Sequence, residues 1–175
     1  MNVYFVFSDT KVWWKKLGCW LIKFIDKGSG SHFALGITNN EEIYYYESVL
    51  PKSRVISKEQ FLAINEIKKQ YLFAVPKELE KEVVRFLDSL VSRPYSIQQL
   101  ILIFISKSLL PTNIFLKGAI LNHEKSLICT EVGTRFIEQF MNYKLTKSHD
   151  NTGVKDIQII CEGLVLQDKE WKVQL

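Results

Sequence analysis

The sequence predicts a single α+β domain, an antiparallel sheet of about five strands with helices packed against it. Two observations predict this class. The chain has 175 residues, of which 47% are hydrophobic and 24% charged, which is the balance of one ordinary globular domain. Short runs rich in β-branched and aromatic residues come first, mostly in pairs, and runs with helical spacing dominate the rest of the chain. A parallel α/β sheet would alternate the two.

The strand-like runs are short, apolar and bounded by turn residues. They comprise residues 3–7, 32–38, 42–48, 54–56 and 71–75. Asn39 and Asn40 separate the second run from the third, and a turn of that size predicts a β-hairpin. A further hairpin is predicted over residues 164–173.

The helical segments show apolar residues at intervals of three and four. They are predicted over residues 11–26, 77–91, 97–108 and 127–143. Asp9 and Thr10 precede the first of them and are predicted to cap it. Residues 110–126 are predicted as a loop with a helical piece, and residues 154–161 as a short helix or strand. Residues 143–175, a tail of uncertain structure, are assigned to the same single domain, which spans residues 1–175.

Composition excludes several classes of protein. The net charge of +4 is too small, without a clustered basic patch, to indicate nucleic-acid binding. The cysteines Cys19, Cys129 and Cys161 are odd in number and widely spaced, unlike a secreted disulfide scaffold, and no zinc-ligand spacing occurs. The N-terminus lacks the pattern of a signal peptide, and the most apolar stretch, residues 97–110, is shorter than the roughly 20 residues of a membrane span. We therefore expect a cytoplasmic protein with free thiols and no transmembrane segment.

Two residues indicate thiol chemistry. Cys129 begins a predicted helix, where the positive end of the helix dipole stabilises a thiolate, the nucleophilic form of cysteine. His32 begins a predicted strand after a Gly-rich turn, where a general base would be held rigidly. Taken alone, each residue has a simpler interpretation, a structural histidine and an inert core thiol. His123, which lies six residues before Cys129 in a predicted loop, is a rival base.

Four short motifs occur along the chain in an informative order: SHFALGI, YYYES, RPYSIQQL and ICTEVGTRFI. This order resembles that of the circularly permuted, NlpC-like branch of the papain-like superfamily of cysteine hydrolases, in which the His strand precedes the Cys helix. The resemblance extends over residues 1–143. It departs at Thr130, where Ser is the commoner residue of the family.

The resemblance implies a role for each matching residue. Cys129 matches the nucleophile, His32 the general base, and Glu47 the polar third member that accepts the second imidazole N–H. Tyr95 matches a cleft tyrosine that donates to the oxyanion, alongside the backbone N–H of Cys129. Without the resemblance, Glu47 is equally well a solvated strand-end carboxylate, and Tyr95 an aromatic residue at the core edge. Gly133 weakens its helix by about 1 kcal/mol relative to Ala and is expected to allow close helix–strand packing.

The expected activity is thiol-dependent hydrolysis of an amide or peptide bond through a Cys–His–Glu triad and a thioacyl-enzyme, without a metal or an organic cofactor. The alternatives are a lipid acyl hydrolase or acyltransferase that uses the same triad, and a binding module that keeps the fold without turnover. The expected partner is accordingly a peptide, amide or acyl-lipid substrate, and the oligomeric state stays open.

A helix rich in tryptophan and lysine has two interpretations. Trp13, Trp14 and Trp20 share the first predicted helix with several lysines. The simpler interpretation packs this helix on the sheet with its lysines in solvent. The alternative makes it a peripheral membrane contact, because Trp and Lys together suit a membrane interface.

Overall fold

The computed structural model describes residues 1–13, 16–39, 41–97, 127–146, 152–167 and 171–174. In chain order its elements are β1 (Asn2–Thr10), α1 (Lys16–Asp26), β2 (His32–Asn39), β3 (Glu42–Glu47), β4 (Arg54–Ser57), α2 (Lys58–Ile64), β5 (Asn65–Ala74), α3 (Glu80–Leu90), α4 (Cys129–Phe140), α5 (Val154–Gln167) and β6 (Trp171–Gln174). The chain is therefore α+β, as predicted. Within these ranges, no helix combines the length and the apolar character needed to cross a bilayer.

The described strands form one antiparallel sheet of six, in the order β4-β3-β2-β1-β5-β6. β2 and β3 form the predicted hairpin, in which Ala34 lies opposite Glu47. β1 is central, since it pairs with β2 as far as Ser8, opposite His32, and with β5 as far as Thr10. This register places the ends of β1 and β3 and the starts of β2, β4 and β5 along one edge of the sheet.

The pleat of the sheet separates two apolar clusters. The larger cluster joins the sheet to α3, α4 and α5 and includes Phe5, Phe7, Phe33, Leu87, Phe136 and Ile157. The smaller cluster lies on the other face, where Val6, Ala34 and Tyr45 pack against Phe61 of α2. Because successive residues of β1 and β2 enter opposite clusters, these strands are apolar throughout, which explains their unbroken apolar runs in the sequence.

Gly133 allows α4 to lie directly on β2. A Cβ atom at this position would lie 2.5 Å from Phe33 Cε1 and 3.0 Å from Ile157 Cδ1, both in the closely packed core. The close helix–strand packing expected from Gly133 is thus confirmed. The contact sets the start of α4, at Cys129, against the strand that begins with His32.

Asp9 and Thr10 do not cap α1, as the sequence predicted, but belong to β1, and α1 begins only at Lys16. The side chain of Asp9 instead accepts hydrogen bonds from Lys23 and from Ser31, which lies just before β2. Asp9 therefore connects two elements rather than ending one.

The tail differs most from the prediction. The hairpin predicted over residues 164–173 is wrong, because α5 continues to Gln167 and β6 pairs with β5. β6 also raises the predicted strand number of about five to six. Helix α5 packs against α4 and β1, so this segment belongs to the same core. The predicted helix over 97–108, apart from Ile97, and the predicted loop over 110–126 lie outside the described residues.

Candidate active site

The ends of five strands and four helices meet around one cavity of about 560 Å³. It lies at the sheet edge where β1 and β3 end and β2, β4 and β5 begin, next to the first residues of α4 and α5. The four predicted site residues, His32, Glu47, Tyr95 and Cys129, all line it. Aliphatic residues contribute further to the lining: Val12, Ile22, Val49, Leu50 and Ile64. The cavity therefore combines a few polar groups with a mostly apolar surface, as ligand sites do.

A network behind the cavity fixes the backbone at His32. Asp9 Oδ1 accepts hydrogen bonds from the N–H and the hydroxyl of Ser31, each 3.0 Å long, and Asp9 Oδ2 is bound by Lys23 Nζ at 2.8 Å. At Gly30 a Cβ atom would come within 2.8 Å of backbone atoms of β1, so the turn requires glycine. The start of β2 is consequently held in one position.

Glu47 is a fully buried carboxylate with two cationic partners. Its Oε2 lies 2.9 Å from His32 Nε2, and its Oε1 accepts from Arg54 Nε at 2.8 Å and Nη2 at 2.6 Å. The contact with His32 is diagonal across the hairpin, because Glu47 pairs with Ala34. Burial acts to raise the pKa of Glu47, but hydrogen bonds and charges from His32 and Arg54 outweigh it and hold the pKa below its ordinary value. The solvated-carboxylate interpretation of Glu47 is therefore wrong.

Cys129 is the first residue of α4, and the residues before it are anchored. Leu127 donates its N–H to Pro94 O at 2.9 Å, and its carbonyl accepts from Ser48 Oγ at 3.0 Å. The N–H of Ile128 is occupied by Glu131 Oε2 at 2.9 Å. The N–H of Cys129 itself belongs to the first helical turn, where backbone donors have no intrahelical acceptor. It is thus suited to bind an anion formed next to the thiol.

The His32 ring contacts both Glu47 and Cys129. Nε2 lies 2.9 Å from Glu47 Oε2, so Nδ1 is the ring nitrogen left to interact with the Cys129 thiol. Burial acts to lower the pKa of His32, but the hydrogen bonds and charges of Cys129 and Glu47 raise it to about 10. These neighbours therefore favour the charged, imidazolium form of His32. A thiol next to an imidazolium is the arrangement that favours a nucleophilic thiolate.

Tyr95 reaches the cavity from a separate loop. Its N–H donates to Pro51 O at 2.9 Å, and it forms a parallel bridge with Leu127, two residues before Cys129. Burial, and then the charges of Cys129 and Cys19, raise the pKa of Tyr95 far above its ordinary value. The hydroxyl is consequently a neutral donor at every physiological pH.

Arg54, Asn65 and Thr130 line the cavity and were not among the predicted site residues. Arg54 binds Glu47 and lies directly opposite it in the β3–β4 pair. The sequence contained some indication of this contact, because Arg54 begins the next predicted strand after Glu47. Asn65 Nδ2 and Thr130 Oγ1 are buried and have no hydrogen-bond partner among the described residues. No pattern in the sequence marks Asn65 as a site residue, and Thr130 stood out only as the residue that follows Cys129.

Other candidate groups add little to the site. The rival base His123 lies outside the described residues. Over the ranges that the structure covers, no group of three or more His, Cys, Asp or Glu residues is placed to hold a metal ion.

Comparisons with family models, curated proteins and solved structures found no match to this chain. The assignment of a function therefore rests on the geometry of the chain's own residues.

Proposed function

We propose that the chain is a thiol-dependent hydrolase, similar to the circularly permuted NlpC-like enzymes, that cleaves an amide or peptide bond. The observation that supports this proposal most is the contact of one imidazole, His32, with both Cys129 and Glu47 inside a largely apolar cavity. A structural histidine needs no thiol partner, and an inert core thiol needs no imidazole. The two simpler interpretations therefore leave this contact unexplained.

In the proposed first step, the Cys129 thiolate attacks the carbonyl carbon of the substrate and forms a C–S bond. The carbonyl electron pair moves to oxygen, and the resulting oxyanion accepts a hydrogen bond from the backbone N–H of Cys129. Tyr95 is the candidate for a second donor, since its hydroxyl stays protonated and it lines the same cavity.

In the second step, His32 gives its proton to the leaving amine as the C–N bond breaks, and a thioester remains on Cys129. Glu47 accepts a hydrogen bond from His32 Nε2 throughout and keeps Nδ1 directed at the reacting atoms. Water then attacks the thioester and gives a proton to His32. The C–S bond breaks, the acid leaves, and the thiolate–imidazolium pair is restored.

The second candidate function is hydrolysis or transfer of a lipid acyl group by the same residues. The aliphatic lining of the cavity favours it, because an acyl chain can occupy the space around Ile22, Leu50 and Ile64. In the hydrolysis of a lipid ester, the only difference is that His32 protonates an alcohol rather than an amine; in acyl transfer, an acceptor alcohol or amine also replaces water in the last step and gives its proton to His32.

Intact-mass analysis tests both candidates. The wild-type protein, Cys129→Ala and Cys161→Ala are incubated separately with peptides, cell-wall fragments and phospholipids. Cys161 is the control, since it is a buried thiol of α5 that does not line the cavity. We expect an acyl adduct on the wild type and on Cys161→Ala but none on Cys129→Ala, and its mass identifies the acyl group.

Two outcomes would contradict the proposal. An adduct that persists in Cys129→Ala would assign the nucleophile to another residue. If no substrate forms an adduct and Cys129 is alkylated no faster than Cys161, a binding module that keeps the fold without turnover becomes the better description.

A further inference from the structure

The outer side of α1 exposes aromatic side chains to solvent. Trp20 and Phe24 are 60% and 68% exposed, and Trp13, just before the helix, is 80% exposed. The rings of Trp20 and Phe24 stack with centroids 5.5 Å apart, as expected one helical turn apart. We call these three residues the α1 surface. Trp14, the third tryptophan of the sequence prediction, lies outside the described residues.

The segment that carries the α1 surface, residues 11–27, is rich in lysine, although Lys23 is paired with Asp9 at 2.8 Å. Exposed Lys16 lies four residues before Trp20 and so continues the stripe of that helix face, and exposed Lys27 follows directly after the end of the helix. Between residues 11 and 27 the lysines are Lys11, Lys15, Lys16, Lys23 and Lys27. Asp26 is the only carboxylate in that stretch, and it is buried, where it accepts a hydrogen bond from the Lys155 N–H at 2.7 Å.

The same helix forms part of the cavity wall. Cys19, Ile22 and Asp26 line the cavity, and their spacing of three and four residues places them on a different face from Trp20 and Phe24. The α1 surface and the cavity are therefore two sides of one element, separated by the width of a helix.

We propose that the α1 surface docks on a membrane that contains anionic lipid. Tryptophan and phenylalanine next to lysines, without an exposed carboxylate, are the composition of a helix that lies in a membrane interface. The lysines complement anionic headgroups, and the chain as a whole carries a net charge of +4. A protein partner would need an acidic groove, and a second copy of this chain would bring the same positive charges together. Docking places the cavity beside the lipid surface.

Vesicle co-sedimentation tests the docking. The probes are vesicles of phosphatidylcholine alone and of phosphatidylcholine mixed with phosphatidylglycerol. We expect wild-type protein to pellet with the mixed vesicles, less with the neutral ones, and less at high salt. The double variant Trp20→Ala/Phe24→Ala should lose at least about tenfold in partition, because it removes the apolar part of the face. Lys16→Glu should lose about tenfold, since it reverses a charge at the surface.

Matched variants distinguish binding through the α1 surface from nonspecific binding to vesicles. Leu166→Ala removes an 88% exposed apolar residue of α5, and Lys81→Glu reverses an exposed charge on α3, so both should bind as the wild type does. Cys129→Ala should also bind unchanged, which makes the test independent of the proposed chemistry. Unchanged binding of the aromatic double variant would overturn the proposal. The proposal would also be overturned if the wild-type protein did not bind vesicles but formed a dimer that the double variant did not form. That result would assign the surface to a second copy of the chain.

Discussion

Replacing Glu47 by Gln tests the electrostatic core of the site. Gln keeps the shape of the side chain but removes the negative charge of the acceptor from three hydrogen bonds, one with His32 and two with Arg54. Each such change costs about 1 kcal/mol. Arg54 is 41% exposed, so solvent roughly halves the value of its two bonds. We expect a loss of about 2 kcal/mol in the free energy of unfolding.

The size of this loss should depend on pH in a defined way. The raised pKa of His32 stabilises the fold below its ordinary value of 6.5, and this contribution is lost as pH rises toward about 10. The lowered pKa of Glu47 stabilises the fold above its ordinary value of 4.5, and this contribution is lost as pH falls. The difference between wild type and Glu47→Gln is therefore greatest between pH 4.5 and 6.5.

Denaturant unfolding at several pH values measures the loss, and NMR titration of the imidazole signals measures its cause. The chain has three histidines, and His32→Asn assigns the signal of His32. Glu47→Gln should lower the pKa of His32, because it removes a negative neighbour. Arg54→Ala is the matched control, since it also weakens the cluster but removes a positive charge, and it should not lower that pKa. A destabilisation that is the same at pH 5 and at pH 10, with an unmoved His32 pKa, would refute the reasoning.

Three further experiments have definite expected outcomes. Pulse alkylation near pH 6 with peptide mapping should label Cys129 at least about tenfold faster than Cys161, because burial raises the pKa of the Cys161 thiol well above its ordinary value. Equal labelling of the two cysteines would remove the nucleophile assignment. Gly133→Ala should cost about 2 kcal/mol of unfolding free energy by overpacking, whereas Gly163→Ala in α5, where a Cβ meets nothing within 4 Å, should be neutral or stabilising by up to about 1 kcal/mol; denaturant unfolding of both variants checks this. Asn65→Leu should preserve or raise the melting temperature, because an unpartnered buried amide is removed, and should raise the KM of any substrate found; a fall in melting temperature would indicate a structural role instead.

The β2–β3 hairpin shows why part of the fold could be predicted from the sequence. Two apolar runs separated by a short polar turn leave few alternatives, and the bounds found, His32–Asn39 and Glu42–Glu47, differ from the predicted ones by a single residue at one end of each strand. The hairpin also explains why His32 and Glu47 were predicted as neighbours. Residues at the open end of a hairpin are close whatever the rest of the chain does.

The parts that sequence reasoning missed depend on tertiary contacts. The start of β5 alternates charged residues such as Glu66 and Lys68, which are not typical of a buried strand, and pairing with β1 imposes the strand there. The predicted element over residues 154–161 is shorter than α5, which continues through Gly163, where a Cβ atom would meet only open space, to Gln167. Local preference is a weak guide wherever a neighbouring element decides the conformation.

No sequence motif explains why Cys129 and His32 lie close together in the structure. Backbone hydrogen bonds bring the two residues together. They connect Pro51 and Ser53 to the loop at residues 92–96, and they connect that loop to Leu127. These bonds tie the start of α4 to the segment that follows Glu47, so the helix that carries the thiol is positioned by the hairpin that carries the imidazole. Because backbone groups of almost any residue make such bonds, the sequence predicted the side chains of the candidate site without predicting what holds them together. The same reasoning implies that the proposed chemistry is more sensitive to changes in this loop than its distance from His32 along the chain suggests.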